Sequence, residues 1–380
     1  MADSPYPELK KTHVPERVGR PWTDRKPPPS APVWTVIGGQ GSFHVLTASL
    51  ELGVFDQLGE MGAAPGTRPG AEVVDLAERL GVSAPHLATL LDSLVVLGLL
   101  DRVGTGYRLN DTADRYLTTD GAASMAELVP VAPGPAENWS RLADTVRAGR
   151  PTHPIDDDPV GFYRPLVEGT FTTMLRAAVR TDALVRYRAL EAPRVLDLGA
   201  GGAPWSIAVL TACTGATAVV NDLPGVIDYA RHTTAEHDVA DRCEYRPGDF
   251  HHIAVEPDGY DLVALGHVCR TEGAAGAQRL IARAYEALRP EGLLLLADYF
   301  IAPEPQWSPH SVLMAMTMMA NTVNGFAITA SETAAWLREA GFEGLRLIEP
   351  IGGQYVYTAA KPRTPAAPGS TAASRPGADG

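Results

Sequence analysis

Apolar positions fall into two regimes along the chain. From Trp34 to about residue 188 they recur at helical spacing, and from residue 189 to about 361 short apolar runs alternate with amphipathic helices. In the first regime Phe43, Leu46 and Leu50 predict a buried helix over residues 34–58, with Gly53 and Gly59 towards its end. Residues 71–80 follow as a short amphipathic helix. Ser83 is the expected N-cap of the next, with Pro85 in its first turn and Leu87, Leu90, Leu91, Leu94 and Leu97 on one face. Residues 99–103 and 107–109 flank Gly104-Thr105-Gly106 as a β-hairpin. Helix, turn, helix and hairpin in that order form a winged-helix pattern. Connector helices including residues 139–147 and 162–188 complete this mostly helical half.

The second regime predicts strands at 194–198, 217–221, 243–246, 260–265 and 292–298, with helices at 205–213, 224–237 and 276–288 between them. Short apolar strands separated by helices imply a parallel sheet covered on both faces, a Rossmann-like doubly wound α/β domain. A helix at 331–340 and a strand pair at 345–348 and 355–359 close it. Residues 1–33 and 362–380 are rich in Pro, Ala, Ser, Gly and charge, and are expected to be flexible.

Composition narrows the partners. The 380 residues suffice for two domains and carry a net charge of −13, the wrong sign for gripping phosphate backbones. Residues 83–98, where a winged helix would read a DNA groove, contain no lysine or arginine. Nucleic acid is not an expected partner, and the unit is read as a packing module. Cys213, Cys243 and Cys269 are odd in number and widely spaced, suggesting neither a disulfide framework nor zinc, and favouring a reducing cytoplasm. No run approaches the ~20 apolar residues of a membrane span. No membrane association is expected.

Candidate chemistry begins at Val195-Leu196-Asp197-Leu198-Gly199-Ala200-Gly201-Gly202, a strand running into a glycine turn. Doubly wound sheets bind ligands beyond the carboxyl ends of their strands, where glycines admit close backbone approach. Asp222 stands 25 residues after Asp197, directly behind the second strand, where it can accept hydrogen bonds from a ribose diol. Asp249-Phe250 behind the third strand offers an acceptor for an adenine amino group and a ring to cover the base. A nicotinamide cofactor fits less well, because Pro204 falls where the third glycine of G-x-G-x-x-G belongs.

With Asn221-Asp222-Leu223-Pro224, Gly248-Asp249-Phe250, Tyr260-Asp261-Leu262-Val263, Ala287-Leu288-Arg289-Pro290-Glu291-Gly292 and Trp336-Leu337-Arg338-Glu339-Ala340-Gly341-Phe342, the chain resembles the S-adenosylmethionine-dependent small-molecule O-methyltransferases of plants and bacteria. The likeness runs from about Trp34 to Lys361. It implies that Asp197, Gly199, Gly201, Asp222, Leu223, Asp249, Phe250 and Gly266 surround the cofactor. It also implies a homodimer through the N-terminal winged helix and a flat natural-product substrate. Gly202-Ala203-Pro204 departs from the family's usual pair after the glycines.

The resemblance also places a catalytic histidine where this chain has Arg270, within Gly266-His267-Val268-Cys269-Arg270-Thr271-Glu272. An arginine stays protonated and cannot act as a base. The family's orienting acid corresponds to Asp298, 28 residues on; either it pairs with Arg270 in the pocket wall or Arg270 faces an anionic substrate group. A second acid, expected near residues 323–329, is missing from Asn324-Gly325-Phe326-Ala327. His267, one helical turn before Arg270, and His310, at the start of a helix over 309–320, are each candidate bases or structural histidines. No third ligand accompanies them, so no metal is expected. Met314, Met316, Met318 and Met319, with Asn321, lie on or just beyond that helix; Trp139, Phe162, Tyr163 and Phe171 lie on the connectors over the site. Met314, Met318, Asn321, Trp139, Phe162 and Phe171 are the candidate substrate contacts, with core packing as the alternative. The expected reaction is in-line methyl transfer to an already acidic oxygen or an activated carbon. The alternative keeps the fold and cofactor for a decarboxylation, hydroxylation or pericyclic step.

Overall fold

The computed structural model describes residues 30–363 apart from 68, 133, 302–308, 327 and 352. Most of the two ends expected to be flexible lies outside this range. Residues 31–33, expected in the tail, instead open helix α1 (Ala31–Glu51), with a proline in its first turn. The single buried helix expected over 34–58 is two helices. Gly53, at φ 71°, breaks α1 from α2 (Val54–Glu60), and Ser49 is the one fully buried residue of α1. Trp34, Val36 and Ile37 are 58–78% exposed, because the first turns of α1 project beyond the core that Leu46 and Leu50 reach.

Helices α3 (Val73–Leu80) and α4 (Ala84–Val96), hairpin β1 (Leu100–Val103) and β2 (Gly106–Leu109), and α5 (Asp111–Tyr116) complete the winged-helix unit. Phe55 and Leu58 of α2, Leu76 of α3, Leu87, Leu91 and Leu94 of α4, and Leu100 and Leu109 of the wing share one core. The i, i+4 and i+3 spacing of Leu87, Leu91 and Leu94 on α4 does what its pattern predicts, whereas Leu97, the residue past the helix end, is exposed. Ser83 occupies the N-cap, but its hydroxyl bonds His86 Nδ1 at 2.8 Å and not a backbone amide. The connectors are α6 (Leu128–Val131), α7 (Ala136–Ser140), α8 (Leu142–Ala148) and the 27-residue α9 (Pro159–Val185).

The second half runs β3 (Arg194–Leu198), α10 (Pro204–Ala212), β4 (Thr217–Asp222), α11 (Pro224–Glu236), β5 (Cys243–Pro247), β6 (Tyr260–Gly266), α12 (Gly273–Ala287), β7 (Leu288–Asp298), α13 (Pro309–Asn321), α14 (Ala330–Glu339), β8 (Glu343–Ile351) and β9 (Gln354–Ala360). Seven strands lie in the order β5-β4-β3-β6-β7-β9-β8. The first five are parallel, as the alternation predicts, and β9 runs antiparallel between β7 and β8. Strand alternation feeds two cores. Val195, Leu295 and Ala297 face the layer of α10, while Leu196, Leu198, Leu294 and Leu296 face that of α12 and α14. The chain winds one way from β3 to β5 and the other from β6 to β7, so the crevice opens at the carboxyl end of β3. Among the described residues no helix is long and apolar enough to cross a membrane.

Candidate functional site

Behind β3 the backbone turns through left-handed conformations at Gly199 (φ 67°), Gly201 (φ 57°) and Ala203 (φ 55°) before Pro204 starts α10. A Cβ on Gly199 would lie 2.5 Å from Val268 Cγ1 and 3.3 Å from Phe250 Cδ1. One on Gly202 would lie 2.7 Å from the Phe171 ring. Glycine is needed there for both conformation and space. Asp222 ties the turn to β4: the Gly201 N–H donates to its Oδ2 at 2.6 Å and the Leu223 N–H to its Oδ1 at 2.7 Å. Burial pushes the Asp222 pKa up against the pull of these two amides. Each oxygen keeps lone-pair capacity for a further donor.

Three of the expected contacts are engaged outside the cavity. Asp197 shares the α10-facing side of β3 with Val195, so its carboxylate lies under the glycine turn, fully buried, and does not line the cavity. Its Oδ2 accepts from Ser206 Oγ (2.7 Å) and N (3.2 Å), while Oδ1 has no partner. Burial raises its pKa to about 7, overriding the Ser206 bonds. Asp249 turns outward and accepts from the His251 amide and from His252 Nδ1. These partners outweigh its partial burial and hold its pKa below the usual carboxylate value. Trp139 is displaced by a one-residue offset on α7. Asn138, 2% exposed, takes the inward position and donates to Asn321 Oδ1 at 2.9 Å.

Most of the other candidates converge. A cavity of about 180 Å³ is bounded by Gly199 to Gly202, Gly266, His267 and Arg270 on one side and by Phe162, Phe171, Met314, Met318 and Asn321 on the other. For scale, an apolar cavity of ~150 Å³ takes up benzene. Met314 and Met318, four apart, share the inner face of α13; Met316 and Met319 do not line the cavity. The side chain of His310 lies outside the described residues, although its backbone belongs to the first turn of α13.

At one corner of the cavity Arg270 Nη1 donates to Asp298 Oδ1 at 2.9 Å, with the two side chains 12% and 0% exposed. The expected ion pair is present. Asp298 also accepts from the amides of Arg270 (3.3 Å) and Tyr299 (2.9 Å). His267 is not a helical turn from Arg270. It stands at φ 64° ahead of a 3₁₀ turn over Cys269–Thr271. Burial, and after it the charge of Arg270, hold its imidazole well below its usual pKa.

The expectation from sequence did not include Tyr299, which lines this corner beneath both side chains, or Gln354, whose Nε2 donates to Tyr299 Oη at 3.0 Å. Tyr299 directly follows Asp298 at the carboxyl end of β7, which was a usable signal. Gln354 arrives from β9, whose place between β7 and β8 leaves no local trace. Leu166, Thr170 and Met174 were also missed, though they follow Phe162 at four-residue steps on α9 and line the same wall.

Known proteins give the arrangement a lineage. Residues 34–119 match the O-methyltransferase dimerisation domain and residues 167–343 the O-methyltransferase domain. The chain is similar to the 3-hydroxy-5-methyl-1-naphthoate 3-O-methyltransferase of Streptomyces sahachiroi, with 27% identity over 80% of this chain and 87% of that one. It is similar to mouse acetylserotonin O-methyltransferase, with 30% identity over 84% of this chain and 85% of that one. The fold of human N-acetylserotonin methyltransferase, solved in complex with SAM, superposes with a TM-score of 0.73 at 22% identity, covering 88% of this chain and 99% of that one. With both of its regions matched in order, and a relative sharing nearly a third of its residues along most of its length, the chain belongs to the O-methyltransferase family.

Proposed function

We propose that the protein transfers the methyl group of S-adenosylmethionine to an ionised hydroxyl on a small, flat, mostly apolar intermediate of secondary metabolism. The observation that carries this reading is the buried Arg270–Asp298 pair in the wall of an apolar cavity that abuts the glycine turn. A guanidinium cannot remove a proton but can donate to an oxyanion, so the acceptor must be acidic already, as a phenol or conjugated enol is. Arg270 Nε is buried and without a partner among the described residues, which leaves it a donor to spare.

The cradle suits the cofactor. Asp222 retains acceptor capacity for a ribose diol, the Phe250 ring lies beside Gly199 where a base would stack, and the glycines of the turn add no side chains of their own between Val268, Val167 and Phe171. When bound, the sulfonium supplies an electrophilic methyl. The chain's own part is to fix the acceptor oxygen in line, keep it ionised and exclude water with Phe162, Leu166, Met314 and Met318. The names of the relatives, acting on a naphthoate, a tetracenomycin polyketide and a mitomycin, agree with a flat substrate. The exposed apolar turn of Trp34, Val36 and Ile37, within the segment matched to the dimerisation domain, supports a homodimer.

The test is incubation with S-adenosylmethionine and a panel of phenols and enols of graded acidity. Expected are equimolar S-adenosylhomocysteine and O-methylated product, with kcat/KM tracking ionisation of the substrate. Turnover without S-adenosylhomocysteine, or a methyl group on carbon, would replace this reading.

A further inference from the structure

We infer that His267 and Arg270 form a two-donor clamp for a hydroxyl–carbonyl pair, so that the preferred substrates are hydroxyls conjugated to an adjoining neutral carbonyl. This rests on the methyl-transfer reading above and names the substrate class that the same site takes.

His267 holds φ 64°, a left-handed conformation that histidine, like asparagine and aspartate, adopts more readily than other non-glycine residues. Its amide donates to Ala297 O at 2.8 Å, which fixes the turn. Its ring lies 5.1 Å from that of Tyr299, and the Arg270 guanidinium lies 5.5 Å from the centre of the same ring. His267 Nε2 and Arg270 Nε are each buried with no hydrogen-bond partner among the described residues. Two orphaned nitrogens, three positions apart in the wall of an otherwise apolar cavity, form an arrangement that folding alone does not favour. Two ligand oxygens would satisfy both nitrogens.

The roles divide by charge. Asp298, from β7, is already bonded to Arg270 and to the Tyr299 amide; Tyr163 from α9, and Tyr299 and Cys269 nearer by, bring no further cation. Burial and the neighbouring guanidinium keep the imidazole neutral. His267 then donates its N–H to the carbonyl oxygen, and Arg270 holds the ionised oxygen that takes the methyl group. Conjugation between the two oxygens makes the hydroxyl acidic without a base.

The full-length wild-type protein and His267→Gly are compared, because glycine adopts φ 64° without strain while removing the ring. Binding of 2-hydroxy-1,4-naphthoquinone, whose acidic hydroxyl adjoins a neutral carbonyl, and of naphthol is measured by calorimetry with S-adenosylhomocysteine present, and each variant's thermal midpoint is recorded. The clamp requires that wild type prefer the hydroxynaphthoquinone, that His267→Gly weaken it by about 10- to 100-fold, and that naphthol binding and the midpoint not fall. His267→Asn, which tolerates the same backbone and keeps an amide donor, should recover part of the loss. No wild-type preference, or equal weakening of both compounds, overturns the clamp. So does a kcat/KM profile with an imidazole ionisation that disappears in His267→Gly, since His267 would then be a base. Failure of every acceptor to release S-adenosylhomocysteine would sink methyl transfer, and the binding comparison would still judge the clamp by itself.

Discussion

Replacing Asp298 by alanine strands the charge of Arg270 in the cavity wall. The carboxylate is fully buried and accepts three hydrogen bonds, from the Arg270 side chain, the Arg270 amide and the Tyr299 amide. Breaking a buried pair from one side removes about 3–5 kcal/mol of stability, because the surviving charge keeps its desolvation penalty and loses its partner. For a 380-residue chain, at about 2.1 cal/mol/K of unfolding entropy per residue, that is roughly 4–6 °C in the melting midpoint. Replacing both residues by apolar ones, as in Arg270→Met with Asp298→Leu, should restore most of the loss, since the penalty falls on the unpaired ion. Urea unfolding of the wild type, both single variants and the double variant gives the coupling energy directly. The double variant should be folded and inactive. Single variants that each lose under about 1 kcal/mol, with no coupling, would refute the reasoning: the pair would then be solvated and could not hold an oxyanion.

Further outcomes follow from other parts of the molecule. Asp197 has its pKa raised to about 7 by burial, so ionising it opposes folding. Its contribution is fully present below the unfolded carboxylate value near 4 and is lost as pH rises through about 7. Asp197→Asn should therefore flatten the melting midpoint between about pH 4 and pH 7, a window over which the raised carboxylate is worth roughly 4 kcal/mol at most; an unchanged slope would count against it. Gly199→Ala brings a Cβ to 2.5 Å from Val268 at a positive φ, and should lower stability by about 1–3 kcal/mol and abolish S-adenosylhomocysteine binding in calorimetry. Val36→Glu with Ile37→Glu charges the exposed turn of α1. Light scattering should show a monomer, with each protomer's circular dichroism unchanged.

Much of the fold was legible because its signals are local. The apolar runs at β3 and β6 and the leucine stripe of α4 can each be read within about ten residues, and the structure places them where the pattern does. The failures share a cause in long-range geometry. The antiparallel entry of β9 between β7 and β8 depends on where the sheet has room, which no local pattern records. Residues 34–58 read as one buried helix from Phe43, Leu46 and Leu50, yet Trp34, Val36 and Ile37 at its start are exposed and nothing described covers them. Within the site, Arg270 and Asp298 were found by position and pair as expected. Asp197 was misplaced because a residue's side of a strand follows from alternation: counting from Val195 puts it towards α10. Trp139 failed by one step of a helix, the resolution at which sequence periodicity stops deciding which side chain points inward.

Helix α9 gives the catalytic cycle a constraint. One face of it presents Val167 and Phe171 to the glycine turn, and the adjoining stripe of Phe162, Leu166, Thr170 and Met174 walls the cavity. Pro165 lies between, withholding its nitrogen from the hydrogen-bond ladder in the half of the helix that covers the site. Donor and acceptor compartments therefore have a common rigid boundary with one weakened point. Displacement of that boundary would expose both at once, so spent cofactor and methylated product would leave in the same opening event.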